Sequence, residues 1–249
     1  MSRLKCMMHL LAGYPNWEIS KALCALLEQK GADYLEVQLP FSDPMADGPA
    51  IMKANASVLK QGYQLDDAFS FLEELTKTVR IPIYVMSYLN VFYQPGVSYM
   101  AKRLAAAGVK GCIVPDLSYE ANQKEGFSEC IRDAGLDVVA VLAPHQSQER
   151  LETLRGFCKS MVYVPSRSGT TGAKSSLSND FLEHLGHIKN ILDVEVAVGF
   201  GIHQKEQLDA LRGHSDIAVI GTALLTCLDQ KDPLKAASVF LDGLELRLS

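Results

Sequence analysis

Two carboxylates stand where acid/base chemistry would want them. Glu36 lies in the run Leu35-Glu36-Val37-Gln38-Leu39, and Asp47 lies in the segment that follows, Pro40-Phe41-Ser42-Asp43-Pro44-Met45-Ala46-Asp47-Gly48-Pro49. The first run alternates: Leu35, Val37 and Leu39 face one way, Glu36 and Gln38 the other, as in a strand. Pro40, Pro44, Gly48 and Pro49 stop that strand and stiffen a loop. Glu36 therefore stands near a strand's C-terminal end and Asp47 on the loop after it. Two carboxyl groups in different surroundings can have their pKa values pushed apart, which lets one act as an acid while the other stays charged.

Short apolar runs recur at 6–11, 34–39, 83–87, 111–115, 138–143, 161–165, 194–199 and 217–221. They are rich in Val, Ile, Leu and Met and mostly apolar on both faces, as parallel strands covered on both sides should be. Helical patterns separate them. Asn16 is placed to cap the first, with Ile19, Leu23, Leu26 and Leu27 behind it, and Ser147 to cap the fifth. Stretches 40–64 and 166–179 read as long connections, the second small and polar enough to be a lid. Eight alternations in 249 residues fit an α/β fold of the (β/α)8 TIM-barrel type, a single domain over 1–249. An open doubly wound sheet is the runner-up, but it would want a GxGxxG turn after the first strand, and Ala12-Gly13-Tyr14-Pro15 is not one.

In a barrel the strand ends gather at one mouth. There the sequence offers Glu36, Tyr88 with Asn90, Asp116, Tyr163, Gly199-Phe200-Gly201 and Gly221-Thr222. Glycines after strands seven and eight suit a phosphate, because backbone N–H groups can approach the anion and a helix start adds its dipole. The same glycines also suit plain tight turns. Gly172, in the polar 166–176 stretch, is a further N–H donor for an anion.

Composition narrows the partners. The net charge of −5 argues against a nucleic-acid binder. No apolar run approaches the roughly 20 residues that span a bilayer. Six cysteines form no CxxC pair and read as buried thiols in a reducing cytoplasm. His184 and His187 stand three apart without a third ligand nearby, so no metal site is expected.

The whole chain resembles the tryptophan synthase α-subunit family. Pro-Phe-Ser-Asp-Pro-Met-Ala-Asp-Gly-Pro at 40–49 carries the resemblance. Tyr88-Leu89-Asn90, Val114-Pro115-Asp116, Ser166-Arg167 through Thr171-Gly172, Gly199-Phe200-Gly201-Ile202 and Ile220-Gly221-Thr222-Ala223 support it in the family's order. The resemblance implies a (β/α)8 lyase that cleaves indole-3-glycerol phosphate to indole and glyceraldehyde 3-phosphate. It carries no cofactor of its own, and indole passes to a PLP-dependent β subunit, in an α2β2 heterotetramer. It implies Glu36 as the general acid/base and Asp47 as the second catalytic carboxylate. Substrate contacts fall to Gln38, Tyr163, Gly172, Phe200, Gly201, Gly221 and Thr222. Asp43 and Asn90 lie toward the partner, and Asp116 orders loops. The chain departs from the family pattern at Gln38, where glycine is usual, and at His9 and Leu11, where an aromatic residue and threonine are usual. Gln38 shares a strand face with Glu36, so its side chain is expected to enter the mouth and slow cleavage. The alternative function is accordingly a catalytically weak barrel that docks on the β subunit and activates it.

Overall fold

The computed structural model describes residues 3–165, 178–199 and 201–246. The strands and helices alternate: β1 (Lys5–Leu11), α1 (Trp17–Lys30), β2 (Tyr34–Gln38), α2 (Pro49–Lys60), α3 (Leu65–Thr78), β3 (Ile83–Met86), α4 (Leu89–Tyr93), α5 (Val97–Ala106), β4 (Gly111–Ile113), α6 (Tyr119–Glu125), α7 (Phe127–Asp133), β5 (Asp137–Val141), α8 (Gln148–Leu154), β6 (Met161–Pro165), α9 (Asn179–Leu192), β7 (Glu195–Gly199), α10 (Lys205–Leu211), β8 (Ile217–Ile220), α11 (Thr222–Cys227) and α12 (Pro233–Leu244). All eight strands run parallel and close on themselves, β8 pairing with β1. This is the (β/α)8 barrel that the alternating pattern predicts.

Helix ends follow the local chemistry. Asn16 caps α1 through its side-chain oxygen, which accepts from the Ile19 N–H at 2.9 Å. Ser118, Ser147 and Ser178 cap α6, α8 and α9 in the same way. Stretch 40–64 is more ordered than expected: Pro49 opens α2, whose Ile51, Ala54, Asn55 and Val58 are buried. The apolar spacing there is helical, and proline fits a first helical turn.

Strand parity sorts the core into two parts. One set of alternate residues faces the barrel axis, among them Met7, Tyr84, Met86, Ile113, Val139, Met161, Ala197, Ile217 and Val219, which form one buried cluster. The other set, including Cys6, Met8, Leu35, Val37, Val85 and Val196, packs outward against the helices. Glu36, Gln38, His9, Tyr163 and Gly199 share the inward parity. A polar site can therefore be built into one end of an apolar barrel without disturbing the outer shell. The cysteines are free thiols, four of them buried and Cys130 and Cys227 half-buried.

Candidate active site

Register decides which side chains meet. β1 pairs with β2 so that His9 lies beside Glu36 and Leu11 beside Gln38. The His9 Nδ1 is 3.2 Å from Glu36 Oε1. Both are buried, at 5% and 3% exposure. The loop after β2 then folds back over the mouth. Asp47, 4% exposed, accepts a hydrogen bond from the Gln38 amide at 2.7 Å and another from the Tyr88 hydroxyl at 3.0 Å, both on Oδ2. The Tyr88 oxygen in turn accepts from the Ala46 N–H at 3.0 Å. Asn55, on α2, holds the start of the same loop: its Oδ1 accepts from the Phe41 N–H and its amide donates to the Ile51 carbonyl.

These groups border a cavity of about 480 Å3, well within the size range of small-molecule sites. Its wall includes His9, Glu36, Asp47, Met86, Ile113, Tyr163, Gly199, Gly201, Gly221 and Thr222. Two of the glycines are explained by close approach. A Cβ on Gly199 would stand 2.1 Å from the Tyr163 hydroxyl oxygen, and one on Gly221 would stand 3.2 Å from the His9 Cβ. Gly201 has φ +67°. Thr222 opens α11, whose first N–H groups lack partners within the helix.

The electrostatics are those of a buried site in which an imidazole faces two carboxyl groups. For His9, burial opposes the positive form, but the Glu36 carboxylate outweighs it, with help from Asp47 and Gln38, and the imidazole pKa stands above its ordinary value. For Asp47, burial pushes the pKa up. The His9 charge and the hydrogen bonds from Gln38 and Tyr88 pull against that rise, and Glu36 adds to it. Burial, reinforced by Glu36 and Asp47, keeps the Tyr163 phenol well above its usual range.

The expected residues fall into four groups. Glu36, Asp47, Tyr163, Gly201, Gly221 and Thr222 share the cavity wall. Asp43 and Asn90 are exposed nearby in sequence to that wall, and both Asp116 carboxylate oxygens accept from the Leu89 N–H that begins α4, at 2.9 and 3.2 Å. Gly172 and Phe200 lie outside the described residues, as does the 166–176 stretch. Gln38 corrects an expectation: it does not line the cavity. Its side chain is 0% exposed and turned onto Asp47, because the returning loop offers a buried carboxylate that needs a donor. Strand periodicity gave its face but not the loop that covers it.

The sequence reading also left three contributors without a role: His9, Tyr88 as a double anchor for the loop, and Asn55. His9 had a signal, being a polar residue of inward parity in the apolar run that follows Lys5 on β1. Asn55 had a weaker one, an amide on the apolar face of a helix. Among the described residues no group of three or more His, Cys, Asp or Glu is arranged to hold a metal.

Comparison with known proteins settles the lineage. The profile of the family described as tryptophan synthase alpha chain matches residues 2–241. The chain belongs to the tryptophan synthase alpha chain family. The alpha chain of Desulfotalea psychrophila is 35% identical over 238 residues, covering 96% of this chain and 92% of that one. That of Syntrophotalea carbinolica is 33% identical, covering 90% and 88%. Among solved structures, tryptophan synthase of Mycobacterium tuberculosis superposes with a TM-score of 0.88 at 31% identity, covering 98% of this chain and 91% of that chain. The tryptophan synthase complex of Pyrococcus furiosus gives 0.86 at 28%, covering 98% of each. Within the family frame, His9, Glu36, Gln38 and Asp47 form one buried polar cluster.

Proposed function

We propose that this chain is the α subunit of tryptophan synthase and cleaves indole-3-glycerol phosphate by a retro-aldol reaction to indole and glyceraldehyde 3-phosphate. The observation that carries this reading is the sharing of one cavity by Glu36, Asp47 and the Gly201, Gly221 and Thr222 set. The cleavage needs a proton on indole C3, which makes the ring an electron sink, and a base for the glycerol 3′-hydroxyl. Glu36 is the group for both transfers. Asp47 accepts the indole N–H and stabilises the positive charge that grows on the ring. Among the described residues its two side-chain donors, Gln38 and Tyr88, both bind Oδ2, and Oδ1 is the oxygen for that contact. Tyr163 packs beside Glu36, and the glycine set with Gly172 binds the phosphate through backbone N–H groups.

The chain works as a lyase in the cytoplasm, without a cofactor of its own. It hands indole to a PLP-bearing β subunit in an α2β2 assembly. Exposed Asp43, Asn90 and Met45, the last 84% exposed beside the cavity, suit a partner that covers the mouth. No helix among the described residues is long and apolar enough to cross a membrane. The docking-only alternative was motivated chiefly by Gln38 filling the mouth, and the burial of Gln38 against Asp47 supports the active reading over it.

The test is single-turnover indole release from indole-3-glycerol phosphate, with a β subunit present. Glu36→Gln and Asp47→Asn should each slow release by about 10²-fold or more, the scale of a positioned acid/base group. Release by Glu36→Gln at close to the wild-type rate would overturn this reading.

A further inference from the structure

The mechanism above leaves one titratable group of the cavity wall without a role. His9 sits on β1, within contact distance of the acid/base carboxylate, and lines the same cavity. Two carboxylates in one buried pocket repel, and among the described residues His9 is the group beside them that can carry a positive charge. Three polar atoms here are buried without a hydrogen-bond partner among the described residues: His9 Nε2, Glu36 Oε2 and Gln38 Oε1. Such atoms are costly, and they concentrate where a site does chemistry.

We propose that His9 is a positioning residue that stores the proton Glu36 delivers, with Gln38 holding Asp47 beside the pair. The proposal rests on the reading of the cavity as the retro-aldol centre. The pair holds one proton. Transfer from His9 Nδ1 to Glu36 Oε1 turns imidazolium and carboxylate into imidazole and carboxylic acid. The acid gives that proton to indole C3. As the carbon–carbon bond breaks, the 3′-hydroxyl returns one proton to the pair, so the pair ends as it began and no outside acid is consumed. Gln38 stands beside the pair, on the strand that adjoins His9. Its amide N–H donates to Asp47, and Gln38 is among the groups that favour the charged imidazole.

The groups facing His9 are named by element. β2 brings Glu36 and Gln38, and the loop after it brings Asp47, itself held by Tyr88 after β3. β6 brings Tyr163, which stays neutral across the working range. On the β8 side, Gly221 and Val219 carry no charge. The proton-loaded pair is therefore the form below the raised titration of His9. As pH rises through it, the stored proton is lost and release slows.

The test has two arms. In the free protein with 15N-labelled histidine, NMR should show the His9 imidazole titrating above the ordinary histidine value of about 6.5, and moving down in Glu36→Gln and in Gln38→Leu. In the complex with a β subunit, His9→Gln should cut kcat about tenfold or more with little change in KM, and move the alkaline limb of indole release to lower pH by at least about one unit. A merely structural role would lower stability without moving that limb. An ordinary His9 titration, or one unaffected by Glu36→Gln, would overturn the proposal even if His9→Gln did not fold. Absence of indole release from the wild type would instead fail the function reading, and the NMR arm would still decide the pair.

Discussion

Gln38 and Asp47 form a bond that replaces two separate costs. A primary amide and a carboxylate are each expensive in a dry barrel end, and each satisfies part of the other. Gln38→Gly would open space under the loop and leave Asp47 with Tyr88 as its remaining side-chain donor. Despite the usual glycine at this position in the family, the substitution should slow indole release, by about tenfold if Asp47 is misplaced by a fraction of an ångström. A faster variant would show that Gln38 obstructs the site after all. Gly199 poses the converse problem, since no side chain fits there. Gly199→Ala sets its methyl on the Tyr163 hydroxyl at 2.1 Å. Overpacking of this kind costs about 1–3 kcal/mol, and the tyrosine must leave the cavity wall. Urea unfolding should show the loss, and the KM for indole-3-glycerol phosphate should rise. Unchanged values in both would mean that the wall yields freely.

At the level of elements, the loop between β2 and α2 carries Asp47, the second carboxylate of the proposed mechanism, yet has no regular structure of its own. It is fixed from three sides: Tyr88 after β3, Gln38 at the end of β2 and Asn55 in α2. Asn55 is 1% exposed and serves two backbone groups. Asn55→Ala leaves the Phe41 N–H without its acceptor, a loss of about 1–3 kcal/mol for a buried polar group. Because the affected backbone leads to Asp47, indole release should fall together with stability. Loss of stability alone, with full release per folded molecule, would detach the loop start from the site. Asp116 does a related task for α4, where its carboxylate replaces the missing intrahelical partner of the Leu89 N–H.

At the level of the whole molecule, the barrel is apolar through its middle and places its buried charges at one end. That arrangement gives stability a specific pH dependence. His9 has a folded-state pKa above its unfolded value. Its contribution is therefore fully present below the unfolded value of about 6.5 and is lost as pH rises through the folded one. The stability difference between wild type and His9→Gln should be largest near pH 6 and shrink through neutral and mildly alkaline pH. Chemical denaturation at several pH values checks this, and a difference that grows with pH would contradict the charged pair.

Much of this was legible from residues alone. The shared face of Glu36 and Gln38, strand positions to within one or two residues at most ends, the caps at Asn16 and Ser147, and the placing of Glu36 on a strand and Asp47 on the loop after it all follow from local patterns, because alternation, capping and proline act over a few residues. Other features depended on which strands became neighbours and where the loop came to rest. The pairing of His9 with Glu36 needs the register of β1 against β2. The turning of Gln38 away from the cavity needs the fold-back of Asp47, nine residues on. The reason for glycine at 199 needs Tyr163 from the adjoining strand. Each is a contact across the barrel, and a one-dimensional pattern gives a residue's face without giving what that face will meet.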